Sequence, residues 1–265
     1  MKTYLRRVCA ESAAVVPALA TFETALKDLR GRFDTLATAV SAHAELDADE
    51  KQALLDVARE LGESATLYEA DSTNLLGTLL VFSQKYAEAL PDDNETQRVA
   101  RETFEPNAEA IRGVVKQVDL LYKLTTRVAD LAAELAADDV VCSVYDRRGA
   151  GRLVKQLDDK RKAAVEQLKQ AAYFHRQVVW LQDRFPKAEL EAVPGLVKRV
   201  DRKQIEAADW SLTPGRYVGV SPPEKDADFD FEQTLRDIHT ELADLNRDAV
   251  EFATKIQKNF SDLGL

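Results

Sequence analysis

The sequence predicts a mainly α protein. We expect long antiparallel coiled-coil helical hairpins, then a small irregular module of loop and short strand, and a C-terminal coiled-coil helix. Apolar residues alternate at spacings of three and four along five segments, as in packed helices. The composition is 45% hydrophobic and 31% charged with only 7% aromatic residues, which is typical of narrow helical proteins and thin for one thick globular core. The pattern changes only after Phe185-Pro186, where turn residues take over.

The first hairpin is expected over about residues 2–90. Pro17 precedes the first seam, so we expect that helix to begin near it, because a proline is tolerated in a first turn. Asp47 or Asp49 is predicted to cap the second helix, and Pro91 to end it. The first seam comprises Leu19, Phe22, Leu26, Leu29, Phe33, Leu36 and Val40. The second comprises Leu61, Ala65, Tyr68, Ser72, Leu75, Leu79, Phe82 and Tyr86.

The second hairpin is expected over about residues 95–184. Pro106 predicts a kink or restart, and Asp138-Asp139 with the glycines 149 and 151 predict a break before a fourth helix at about 152–183. The third seam comprises Ile111, Val114, Val118, Leu121, Thr125, Val128, Ala132 and Leu135. The fourth comprises Leu153, Leu157, Ala164, Leu168 and Val178.

Three regions follow from this pattern: a helical region 1–184, a junction 185–228, and a last helix 229–265, which either folds back or is reserved for another protein. In the junction, residues 193–200 predict a turn and a short strand, and Asp201 is expected to cap a brief helix at 202–208. Residues 221–228 read as an acidic linker. The last helix has an entirely apolar seam of Phe231, Leu235, Ile238, Leu242, Leu245, Ala249, Phe252 and Ile256.

The charge is unevenly distributed. The net charge is −10, yet residues 142–203 contain fifteen Lys and Arg against eight Asp and Glu, a net of +7. This basic block is either a solvated helix face or a contact with DNA phosphates or an acidic partner. Two cysteines without a CxxC pattern and three histidines disfavour a zinc site. Since no run of about 18 apolar residues occurs, we expect a soluble cytoplasmic protein without a membrane partner.

Five short pieces near the C-terminus carry a family resemblance. They occur in the order Trp180–Phe185, Val193–Leu196, Ile205–Trp210, Ser211–Val218 and Asn259–Leu265. In residues and order they resemble the C-terminal end of the modification (M) subunit of Type I restriction-modification systems, the adenine-N6 DNA methyltransferases. The first 175 residues resemble the coiled-coil insertion that some members carry.

The catalytic part of that family has no counterpart here. Its methyltransferase domain would lie upstream of residue 1, so the chain is expected to be a C-terminal fragment or a split-gene product. The closest match to the target-base motif, Ser221-Pro222-Pro223-Glu224, lacks both the Asp or Asn and the aromatic residue. No catalytic, cofactor-binding or metal-binding residue is therefore predicted, and S-adenosylmethionine is expected only in the missing domain. His175 is expected to be a packing residue.

The resemblance implies a role in assembly. The last helix would dock on the helical spacers of the specificity (S) subunit, through Phe231, Leu235, Ile238, Leu242, Leu245, Phe252 and Ile256. A junction loop with Trp210, Pro214, Gly215, Arg216 and Tyr217 would lie beside the catalytic domain of the M subunit, and DNA would be contacted mainly through the complex.

The junction loop leaves two interpretations open. Pro214 is expected to set a turn, and Gly215 permits a left-handed backbone. Arg216 and Tyr217 would either contact a partner or DNA, or lock the loop onto its own module. For the whole chain the alternatives are a free-standing coiled-coil scaffold or spacer and a direct DNA binder that uses the basic block.

Overall fold

The computed structural model describes residues 2–87, 90, 92–135 and 139–221, together with the single positions Leu242, Ala249 and Ala253. The chain divides into two compact units, Met1–Leu190 and Glu191–Leu265. The described part of the chain contains helices and no named strand, which confirms the mainly α prediction. The helices are α1 (Lys2–Ala42), α2 (Ala48–Ala87), α3 (Asn94–Leu135), α4 (Asp139–Val144), α5 (Arg147–Arg184), α6 (Arg202–Ala207) and α7 (Gly215–Val218).

The first unit is an antiparallel four-helix bundle. Its long helices α1, α2, α3 and α5 form a ring in which α1 and α3 each pack against both α2 and α5. Aromatic pairs mark two of these interfaces: Phe22 packs edge-on against Tyr68 with ring centroids 5.9 Å apart, and Phe82 against Phe104 at 4.9 Å. The hairpins expected from the sequence thus bury their seams against each other.

The seams form the core of this bundle. Every predicted seam residue of α1, α2 and α3 is buried. In α5, Leu157, Ala164, Leu168 and Val178 are buried and Leu153 is half-buried. The seam of α1 also extends upstream through Leu5, Val8, Ser12 and Val15.

Both prolines of the long helices lie inside them, contrary to the expected start at Pro17 and restart at Pro106. Helix α1 begins at Lys2 and α3 runs unbroken from Asn94. A proline removes one hydrogen bond from a helix and leaves the carbonyl four residues earlier without its donor. Pro17 and Pro106 are both exposed, so water can bond the freed carbonyls of Ala13 and Glu102.

The start of α5 also differs from the expectation. The helix begins at Arg147, so Gly149 and Gly151 lie in its first turns rather than in a break. Asp146 caps it, accepting a hydrogen bond from the Gly149 amide at 3.0 Å. A Cβ on Gly149 would lie 2.2 Å from the Asp146 carboxylate, so this glycine makes room for the cap. At α2, by contrast, the predicted cap is confirmed, because Asp47 accepts from the amides of Asp49 and Glu50.

Three parts of the first unit meet at one end of the bundle. Lys2, at the start of α1, pairs with Asp92 in the α2–α3 turn. Asn94, at the start of α3, donates its side-chain amide to the carbonyl of Pro186, just after α5, at 2.6 Å. The bundle therefore begins and ends beside the same turn.

Helix α1 is the only described helix that is long and apolar enough, by composition, to cross a membrane. A core helix of a bundle can have the same composition. Twelve of its residues are buried by the bundle, among them Leu19, Phe22 and Phe33. Packing against α2 and α5 therefore covers the apolar seam of α1.

Both cysteines are free thiols. Cys9 is buried in α1, and burial raises the pKa of its thiol to about 11, whereas Cys142 is exposed on α4. A thiol with so high a pKa is a poor nucleophile near neutral pH, so Cys9 is part of the core and not of a reactive site.

Candidate interaction site

Residues 191–221 form a small turn-rich module, which contains the junction loop. Its first feature is a tight turn at Val193-Pro194-Gly195-Leu196-Val197. The Leu196 amide donates to the Val193 carbonyl at 3.0 Å and Gly195 has φ 76°, as a type II turn requires. The strand expected over 193–200 is thus reduced to one antiparallel bridge between Val193 and Val197.

Gly195 also connects this turn to the end of the module. Its amide donates to the carbonyl of Val218 at 2.7 Å. A Cβ at Gly195 would lie 2.5 Å from the backbone nitrogen of Ser221. Two backbone segments therefore approach closely at a position where only glycine fits.

A short helix, α6, follows the turn. Asp201 accepts a hydrogen bond from the Gln204 amide at 2.8 Å, and the Gln204 side chain accepts one from the Asp201 amide at 3.0 Å. This reciprocal capping box confirms Asp201 as the predicted N-cap. Because α6 has only six residues, the cap contributes much of its local stability.

After α6 the chain passes through two non-glycine residues in the left-handed region, Asp209 with φ 53° and Trp210 with φ 56°. The Trp210 amide donates to the Ile205 carbonyl at 2.9 Å, and the Arg202 guanidinium lies 5.6 Å from the centre of a Trp210 ring. Left-handed conformations are costly for residues with a Cβ, and they persist where surrounding contacts fix them. The module therefore holds Trp210 in a defined orientation.

The remaining junction-loop residues form a helical turn. Pro214 directly precedes α7, and Gly215 is the first residue of that helix. Gly215 does not use the left-handed backbone that a glycine permits: it is helical, and the glycine of this loop with a positive φ is Gly219, at 73°. A proline with helical backbone angles just before a helix starts it, so α7 needs no left-handed residue until it ends.

Arg216 and Tyr217 hold the loop against its own module. Arg216 donates to the Ala208 carbonyl at 3.3 Å, and the Tyr217 hydroxyl donates to the Ser211 carbonyl. These bonds are the ones that the internal-lock interpretation predicts, and contact of Arg216 and Tyr217 with a partner or DNA stays a prediction. Neither bond involves a residue outside 208–217.

The module buries none of its residues between 191 and 221. Four large apolar side chains are instead strongly exposed: Leu196 at 44%, Trp210 at 54%, Leu212 at 78% and Val220 at 90%. The sequence pattern singled out Trp210 but not the other three, because they follow no helical or strand period. The hydrogen-bonded turns thus present apolar groups outward, and this set is the candidate interaction surface.

Most of the predicted partner-binding residues lie outside the described part of the chain: Phe231, Leu235, Ile238, Leu245, Phe252 and Ile256. Leu242 is the described member of the set. It is helical, and 54% of its surface is exposed. The docking role of this seam stays a prediction.

His175 is packed in the bundle between α3 and α5. Its ring lies 4.9 Å from that of Phe104, and Nε2 is 3.2 Å from the Arg101 carbonyl and 3.6 Å from a carboxylate oxygen of Glu105. Burial lowers the pKa of the imidazole below its usual 6.5. These contacts fit the expected packing role. No group of three or more metal-ligating side chains is found among the described residues.

The lowered pKa of His175 predicts a pH-dependent stability. The unfolded chain binds the proton more readily, so the contribution is fully present above pH 6.5 and is lost as the pH falls toward the lower native pKa. We expect wild type to lose more free energy of unfolding between about pH 7.5 and 5.5 than His175→Gln, which cannot titrate. Urea denaturation at both pH values measures the difference. Equal losses in the two proteins would contradict the assignment.

Comparison with known proteins identifies no relative: no protein-family model, curated protein or solved structure matches the chain. The likeness to Type I modification subunits rests on the short pieces quoted above.

Proposed function

We propose that the chain is an assembly part of a Type I modification subunit and has no catalytic activity of its own. In this proposal its module and C-terminal segment dock on the specificity subunit in the cytoplasm. The methyltransferase chemistry and S-adenosylmethionine belong to an upstream catalytic domain. The observation that carries the proposal is the module of residues 191–221, which has fixed turns but no buried residue.

A module without a core of its own has little to stabilise it as an isolated unit. Ordering its backbone costs about 1–2 kcal/mol per residue. Burying one large apolar side chain stabilises the folded state by about 1.5–3 kcal/mol. Covering Trp210, Leu212 and Val220 with a partner surface would supply burial that the module itself lacks. A partner with apolar helices, such as the spacers of a specificity subunit, provides that cover.

The bundle, by contrast, needs no partner to bury its apolar seams. Its four seams are buried against one another, as the full burial of Leu19, Leu75, Val118 and Leu168 illustrates. A free-standing scaffold or spacer, the alternative function, is consistent with this self-sufficient bundle. The exposed apolar groups of the module favour the assembly role over the spacer.

Co-purification with the cognate specificity subunit tests the proposal. The double variant Ile238→Asp with Leu242→Asp places two charges on the predicted seam, and we expect it to abolish the complex. Gln233→Asp with Thr240→Asp adds the same charge off the seam in the sequence pattern and should leave the complex intact. A stable complex of the seam variant would refute the docking role of the last helix.

A further variant addresses the module separately. Leu212 is 78% exposed, so Leu212→Asp removes an apolar contact without disturbing a core. We expect it to weaken the complex at least about tenfold, which corresponds to about 1.4 kcal/mol. Unchanged affinity, measured by calorimetry, would show that the partner does not cover this part of the module.

A further inference from the structure

Five basic residues follow one another at intervals of seven along α5. They are Arg148, Lys155, Lys162, Lys169 and Arg176, and all five are exposed. Seven residues are close to two helical turns, so these side chains share the outer face of the helix, about 10.5 Å apart. The series extends about 42 Å along the helix. We refer to these five residues as the cationic stripe.

The stripe is particular to α5. In α1, α2 and α3 the longest series of Lys or Arg at the same interval has two members, Lys116 and Lys123. A solvated helix face normally intersperses both signs of charge. The repetition through five heptads therefore distinguishes this face from the other long helices of the bundle.

Ion pairs with carboxylates engage only part of the stripe. Lys162 pairs with Asp158, and that pairing raises the pKa of the lysine. Among the described residues, Arg148, Lys155 and Lys169 form no ion pair. Two acidic residues, Asp159 and Glu166, share the face, whereas Arg152 adds a further cation beside Arg148.

The helix that carries the stripe is firmly held. Its inner face packs on α1 and α3. Arg161 bonds Asp119 of α3 at 2.6 Å, and Asp183 accepts from Arg101 of α3 at 3.0 Å. The stripe is thus supported on a rigid element, which keeps the spacing of its charges fixed.

The chemistry of the stripe selects one class of partner. Protein interfaces need a buried apolar centre, and membrane-surface helices insert an apolar face. Along the stripe the one large apolar side chain that is strongly exposed is Tyr173, at 45%. Phosphate contacts with nucleic acid need only cations and hydrogen-bond donors. We propose that the cationic stripe binds the phosphate backbone of duplex DNA.

The dimensions agree with this proposal. One turn of B-DNA covers about 34–36 Å, so a stripe of about 42 Å spans slightly more than one turn of a duplex lying along α5. Such contacts carry no sequence information, and they position a protein on DNA without reading bases. The proposal goes beyond docking on a specificity subunit and is tested with this chain alone, so either can fail without the other.

Fluorescence anisotropy with a labelled duplex of random sequence, about 20 base pairs long, tests the stripe, with salt varied from about 50 to 200 mM. We expect binding that weakens steeply with salt, since each neutralised phosphate contributes about 0.9 to the slope of log K against log salt. The stripe variant carries Arg148→Gln, Lys155→Gln and Lys169→Gln. Its slope should be smaller than that of wild type by about 2–3.

A matched control separates the stripe from net charge. The triple variant Lys27→Gln, Lys116→Gln and Lys123→Gln removes the same charge from exposed lysines of α1 and α3. We expect it to retain the wild-type slope, and circular dichroism should show both variants folded. Equal slopes for the two variants, or no binding of wild type at the lowest salt, would overturn the proposal. Stripe-dependent binding of polyglutamate without binding of the duplex would assign the stripe to an acidic protein and overturn it as well.

Discussion

Replacing Phe104 with alanine should lower the free energy of unfolding of the bundle by about 3–5 kcal/mol. Phe104 is fully buried in α3, and its ring lies 4.9 Å from those of both Phe82 on α2 and His175 on α5. One side chain therefore fills the space between three helices. Its removal loses both the burial of the ring and the contacts of the cavity lining.

Urea denaturation followed by the helical circular dichroism signal measures this loss. Val99→Ala, on the same helix at a residue with 45% of its surface exposed, is the control and should change stability by less than about 1 kcal/mol. If Phe104→Ala cost no more than this control, the ring contacts between α2, α3 and α5 would not form in solution.

The second large effect is expected in the module. Gly195→Ala should disrupt the packing of the Val193–Val197 turn against the end of the module. The new Cβ would lie 2.5 Å from the Ser221 nitrogen, and φ at this position is 76°. The left-handed backbone alone costs a residue with a Cβ about 1–2 kcal/mol. The clash with a backbone atom adds to it, because a backbone segment cannot rotate away as a side chain can.

Variants of two other glycines separate the cost of the backbone conformation from the cost of the clash. Gly219→Ala meets no atom within 4 Å, but φ 73° and ψ −161° place this residue in a region that is essentially confined to glycine, so the variant should show a conformational cost without a clash. Gly215→Ala is helical and also unobstructed, so it should be neutral or slightly stabilising. The backbone amide of residue 195 donates to the Val218 carbonyl. Of the three variants, Gly195→Ala should accelerate the hydrogen exchange of this amide most. The opposite order among the variants would contradict the described turn.

The seams show how far periodicity predicts this fold. Burial follows the alternation of three and four, because that spacing keeps one side of a helix on its neighbour. The same alternation continues upstream of Pro17 through Leu5, Val8, Ser12 and Val15, and it could have located the start of α1. Proline misled the prediction because its cost depends on which face it occupies. An exposed proline frees a carbonyl that water reaches, and this becomes apparent only after the faces are assigned.

The module was less predictable. A glycine in the sequence shows where a positive φ is possible, but the sequence does not show which glycines adopt it. Gly195 and Gly219 have a positive φ, whereas Gly215 does not. Asp209 and Trp210 adopt it without being glycine, because Trp210 gains a backbone bond to Ile205. Such choices depend on contacts between segments that are distant in sequence, such as Gly195 with Val218, which a local pattern does not contain.

The bundle starts and finishes beside the turn around Asp92 and Asn94. The length of its helices can therefore change while the positions of its first and last residues stay the same. Adding one heptad to each of the four helices would move the distant end outward by about 10.5 Å while Lys2 and Pro186 keep their neighbours. Each helix would continue its own seam, so no face would lose its partner. An even number of antiparallel helices thus allows evolution, or an engineer, to change the length of the bundle without moving the point where its two ends meet.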